Sequence, residues 1–126
     1  MSVQSGRDAE SRAAVFLAGR GYRILRRNYT VRGAEVDIIA KDGETYVFVE
    51  VKSLSSLAHG APRERVTAEK QRRICHAALR FLQTYQLQDC PVRFDIVEIT
   101  PQGPALLRSA FDFRGCLLYT SPSPRD

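Results

Sequence analysis

The chain has 126 residues, 44% of them hydrophobic, and a formal net charge of +5; this fits one soluble domain with a single core. No apolar stretch approaches membrane-spanning length, and the N-terminus lacks the apolar core of a secretion signal, so a cytoplasmic protein with no membrane partner is expected. The basic balance, with a pI of about 9.4, favours a phosphate-bearing partner such as nucleic acid.

Gly6 to Gly19 reads as an amphipathic helix: Ala9, Ala13, Phe16 and Leu17 form an apolar stripe, and Gly21 supplies a C-terminal stop. Glu10 borders that stripe, either as a first-turn glutamate favoured by the helix dipole or as a side chain aimed at the sheet. Tyr22 to Tyr29 reads as a strand with Arg23, Arg26 and Arg27 interspersed. Two apolar runs follow, Val36-Asp37-Ile38-Ile39-Ala40 and Tyr46-Val47-Phe48-Val49, with Lys41-Asp42-Gly43-Glu44 between them. Asp-Gly between such runs signals a hairpin closed by a type I′ turn. With Asp42 and Gly43 as its loop, Ile39 pairs with Tyr46, Asp37 with Phe48 and Glu35 with Glu50.

Ser53 to Val66 reads as a loop at the lip of a cleft, where Arg63 and Arg65 are expected to meet a nucleic-acid backbone. Thr67 is an N-cap for a second helix, with Glu69 in its first turn and Ile74, Ala77, Ala78, Phe81, Leu82 and Tyr85 on its buried face. Lys70 and Arg73, one turn apart, are placed to touch DNA together. Pro91 to Ile99 reads as another strand, in which Arg93 and Asp95 are expected to form a structural pair, and Leu106-Leu107 as a short edge strand. The cysteines form no C-x-x-C pair, so a zinc site is not expected. The string from Cys116 to Asp126, with Ser-Pro-Ser-Pro, resembles a translated sequencing adapter; it is read as an artefact or a disordered tail outside the 1–115 domain. The succession of elements predicts an α/β layer, with helices covering a mixed sheet.

Charges rarely enter core strands unless they are paired or bind a metal. Asp37 interrupts one apolar run, and Glu50 and Lys52 close the other. In the register above, side-chain alternation places Glu35, Asp37, Phe48, Glu50 and Lys52 on one face. Carboxylates facing one another repel, and a divalent cation would turn that repulsion into ligation. The alternative is a hairpin with one solvated face. The aromatic Phe48 and Tyr46 on the acidic face argue against it.

The string Gly33-Ala34-Glu35-Val36-Asp37-Ile38-Ile39-Ala40, followed by Val47-Phe48-Val49-Glu50-Val51-Lys52-Ser53, resembles the bacterial YraN family, also called UPF0102. Gly6-Arg7, Asn28-Tyr29, Lys70-Gln71-Arg72-Arg73-Ile74 and Arg93-Phe94-Asp95 extend the resemblance from about Gly6 to Arg114. It implies a restriction-endonuclease-like αβββαβ core of the PD-(D/E)xK nuclease superfamily, related to archaeal Holliday-junction resolvases. It further implies a Mg²⁺- or Mn²⁺-dependent endonuclease acting on DNA, with Asp37, Glu50 and Lys52 as the catalytic core. Asp37, Glu50 and the Val51 carbonyl would hold the metal, with Glu10 as an additional acidic ligand and Glu35 as an auxiliary one. Enzymes that cut branched DNA are commonly symmetric dimers, so a homodimer is part of the expectation. The family usually places Gly directly before the Glu-x-Asp segment, where this chain has Ala34. A positive φ there would cost Ala about 1 kcal/mol. Without turnover, the same residues would describe a nucleic-acid-binding module or an interaction domain of a DNA-processing complex.

Overall fold

A computed structural model describes residues 2–54 and 66–113, with side chains from Asp8 onward. His59, Arg63, Arg65 and the tail beyond Phe113 lie outside the described residues. The elements run α1 (Ser2–Gly19), β1 (Arg23–Val31), β2 (Ala34–Asp42), β3 (Thr45–Ser53), α2 (Ala68–Thr84), β4 (Val92–Thr100) and β5 (Gly103–Phe111). The sheet has five strands in the order β1-β2-β3-β4-β5. The β3–β4 pair is parallel and the others are antiparallel. The αβββαβ succession is therefore present, with the restriction-endonuclease-like layering, and β5 is a full nine-residue edge strand. The expected Leu106-Leu107 segment lies within it.

Each helix seals one sheet face, as the apolar periodicities require. Ala9, Ala13 and Leu17 of α1 pack on Ile38, Val47 and Val97. Ile74, Ala78 and Phe81 of α2 pack on Ile39, Phe48 and Phe94. Thr67 caps α2 as predicted, its hydroxyl accepting from the Lys70 amide at 3.1 Å. Tyr85 departs from expectation. It is the C-cap residue and 47% exposed, although it follows Phe81 by one helical turn. Its ring lies 4.9 Å from that of Phe81, and Arg26 covers both rings.

The hairpin register is corrected by two residues: Ile39 pairs with Phe48 instead of Tyr46, Lys41 with Tyr46 and Asp42 with Thr45. The loop is thus Gly43-Glu44, with positive φ at Gly43 (62°) and not at Glu44. A type I′ turn needs positive φ at both loop positions, whereas type II′ needs it only at the first, where Gly is favoured. A shift of two leaves each residue on the face that parity had assigned; a shift of one would have inverted the strand.

The expected single acidic face does not survive intact. Val36 packs on the α2 side and Ile38 on the α1 side, so alternation breaks at Asp37. The neighbouring strand breaks at the matching place: Asn28 has φ 54°, and it stands between the pairs Arg27↔Ile38 and Tyr29↔Val36. Asn is among the few residues that tolerate this left-handed conformation. Glu35 consequently does not share the Phe48 face; it is exposed and opposite Thr30 on β1. The concern over Ala34 also resolves. Gly33 carries the positive φ (78°), while Ala34 is buried and free of that strain.

On the α1 side, Asp95 is fully buried and accepts four hydrogen bonds. Tyr22 Oη donates at 3.0 Å, Arg93 Nε at 2.9 Å, an Arg93 terminal nitrogen at 3.0 Å and the Ser109 amide at 2.9 Å. The expected Arg93–Asp95 pair is present. Arg93 also reaches Asp42 at 3.0 Å, tying β4 to the hairpin. A buried carboxylate with all its partners in place locks strand positions relative to one another.

Candidate functional site

The β2–β3 ladder runs from Asp42↔Thr45 to Ile38↔Val49, whereas β3 stays paired with β4 as far as Ser53↔Ile99. Beyond Ile38, β2 stays with β1 to the pair Val31↔Ala34. The sheet therefore forks between β2 and β3, and Asp37 sits at the fork. Its Oδ2 accepts a 2.8 Å hydrogen bond from the Val51 amide, doing what a strand carbonyl does elsewhere in the ladder. This explains why a carboxylate can interrupt an apolar strand.

Glu50, one residue before Val51, is 3% exposed. It follows Phe48 in the β3 alternation and so points to the α2 side, where Lys70 Nζ lies 3.4 Å from its Oε2. Glu50 and Asp37 also hydrogen-bond to each other. Burial, then the negative charge of Asp37, push the Glu50 carboxyl up to about 7, against the opposing pull of Lys70 and Lys52. Burial also raises Asp37, opposed by the Val51 amide, Lys70 and the Glu50 hydrogen bond. Two desolvated carboxyls this close oppose one another's ionisation, most strongly at Glu50.

Glu10 faces the same region from α1. Its carboxyl is raised by burial and by the charge of Asp37, while an Asn28 hydrogen bond and Arg27 act in the other direction. Among the described residues, no three Asp, Glu, His or Cys side chains converge as a metal cage. Glu10 thus feels the charges of Asp37 and Glu35, and Glu35 in turn acts on Asp37 through its charge. Lys52 is half-buried at the end of β3, near enough for its charge to act on Glu50, and Arg73 is exposed on α2.

The pair fits a hard divalent cation chemically: both donors are carboxylate oxygens, and such a cation keeps several waters of its own. The sequence had assigned Lys70 to DNA and missed its engagement with Glu50. It also gave Asn28 no role beside Glu10. An Asn in an otherwise basic and apolar strand was the available signal for a left-handed break.

No helix among the described residues is long and apolar enough to cross a membrane. Residues 9–99 match the family described as "Uncharacterised protein family UPF0102". A UPF0102 protein of Desulforapulum autotrophicum is 46% identical over 110 residues, covering 84% of this chain and 91% of the relative. A relative from Syntrophus aciditrophicus is 44% identical over 115 residues, covering 88% and 91%. One from Symbiobacterium thermophilum is 44% identical over 108 residues, covering 86% and 92%. With a family match across most of its length and relatives this similar over nearly their whole chains, the protein belongs to the UPF0102 family.

Proposed function

We propose that this protein is a metal-dependent endonuclease that hydrolyses phosphodiester bonds in DNA, with branched DNA as the first substrate to test. The observation that carries this reading is the meeting at the sheet fork of partly buried Asp37 and buried Glu50, with Lys52 and Lys70 beside them. Asp37 and Glu50 would hold Mg²⁺ or Mn²⁺, with the Val51 carbonyl beside them and Glu10 in support. When bound, the metal supplies Lewis acidity and lowers the pKa of its water. The Val51 amide fixes the Asp37 carboxylate, leaving its other oxygen for ligation. Glu50, its proton released to solvent as the cation binds, would supply a second anionic oxygen. Lys52 orients the attacking water or stabilises the charge that develops on the phosphate oxygens. Arg73 on α2, and Arg63 and Arg65 in the preceding segment, hold the flanking phosphates. The reaction is an in-line displacement at phosphorus.

One observation favours a second reading, a nucleic-acid-binding module without turnover: no third carboxylate closes around the pair among the described residues. Labelled four-way, flap, single-stranded and linear duplex DNA, incubated with Mg²⁺, Mn²⁺ or EDTA, separate the two. The nuclease reading expects cutting that EDTA stops and that Asp37→Asn and Lys52→Ala abolish. DNA binding without cutting on every substrate would replace it with the binding module.

A further inference from the structure

Lys70 stands in an unusual place for a cation. It is the third residue of α2, where the helix dipole favours acidic side chains and opposes basic ones. Its backbone is fixed there, since its amide donates to Thr67 Oγ1 at 3.1 Å. Its side chain leaves the helix to meet Glu50 at 3.4 Å, with 34% of the side chain exposed against 4% for Glu50. One partner of this ion pair is therefore sealed in the core, and the other is a flexible stem with one end in solvent. The buried partner is one of the two carboxylates at the fork.

Resting on the metal reading above, we propose that Lys70 is a positioning residue that couples metal occupancy to nucleic-acid binding. In the metal-free protein its ammonium offsets the negative charge of the Asp37–Glu50 pair; metal binding releases it to a backbone phosphate. A divalent ion on the pair neutralises the negative charge that offsets Lys70. The ammonium, at the positive end of a helix, then loses that partner. Its exposed end can swing outward, where a phosphate satisfies both the ammonium and the helix terminus. The protein thus gains a phosphate contact only when the metal is in place, so DNA is gripped by the loaded form.

The test compares the full chain with Lys70→Gln and Lys70→Arg. Calorimetric titration with Mg²⁺ or Mn²⁺ alone, without DNA, reads the competition directly. Lys70→Gln is expected to bind metal about tenfold more tightly, as expected for removal of one competing charge from a buried site. Lys70→Arg, which keeps the charge, should stay near wild type. Fluorescence anisotropy with labelled duplex DNA then reads the release. With Ca²⁺ present, Lys70→Gln should weaken DNA binding and lower the salt slope by about one phosphate contact. In EDTA it should match the wild type. Unchanged or weaker metal binding in Lys70→Gln overturns the inference while leaving the metal site standing, as does an equal loss of DNA affinity in EDTA and in Ca²⁺. Absence of metal binding in all three proteins overturns the metal reading and this inference together.

Discussion

The Asp37 carboxylate and the Val51 amide are joined by a 2.8 Å hydrogen bond across the point where β2 parts from β3. One side chain thus completes a strand ladder and presents a carboxylate oxygen at the sheet fork. These two duties separate by substitution. Asp37→Ala leaves a half-buried amide without its acceptor and is expected to destabilise the fold by about 1–3 kcal/mol. Asp37→Asn keeps an acceptor and should stay within about 1 kcal/mol of wild type while losing metal binding. Urea unfolding with calorimetric metal titration checks both.

The metal-free protein should become less stable as pH rises from about 4.5 to about 7. Glu50 is raised from its ordinary 4.5 to about 7, so the folded state holds a proton that the unfolded chain releases. Stability from this group is full below about pH 4.5, declines as pH rises, and has gone once Glu50 ionises above about 7. A shift of this size corresponds to about 3 kcal/mol. Glu50→Gln should flatten the decline and be the more stable protein at pH 8. Thermal melts across pH 4–9 in EDTA measure this, and a wild-type curve rising over that window would contradict it.

Asp95 is predicted to matter for folding and not for metal binding. Asp95→Ala strips the acceptor from Tyr22, Arg93 and the Ser109 amide at once, and should cost about 3–5 kcal/mol. Tyr22→Phe removes one donor and should cost about 1–2 kcal/mol. Metal affinity of the folded Tyr22→Phe protein should equal that of wild type in calorimetric titration.

The turn before β2 gives a backbone test. Gly33 has φ 78°, and a Cβ there would meet no atom within 4 Å, so any cost of Gly33→Ala is conformational. It should be about 1 kcal/mol in urea unfolding. Ala34→Gly should give no gain, because the position with positive φ is already glycine.

The sequence by itself determined the elements and the identity of the polar intruders. The 3.6-residue stripe of Ala9, Ala13 and Leu17, the Thr67 cap and the apolar runs on either side of Asp42-Gly43 depend on local geometry, and each is found as read. Asp37, Glu50 and Lys52 stood out because burying charge is costly wherever it occurs. Tertiary structure alone decided which of these charges meet. Side-chain parity carried Glu50 to its face, but it could not foresee the break at Asn28 and Asp37 that turns Glu35 away. Nor could it show that Lys70, twenty residues on and across an intervening segment, reaches Glu50 instead of solvent. Alternation and capping are properties of a few adjacent residues. The fork and the Lys70–Glu50 pair exist only where strands that diverge and a helix packed across them are brought together by burial of their apolar faces.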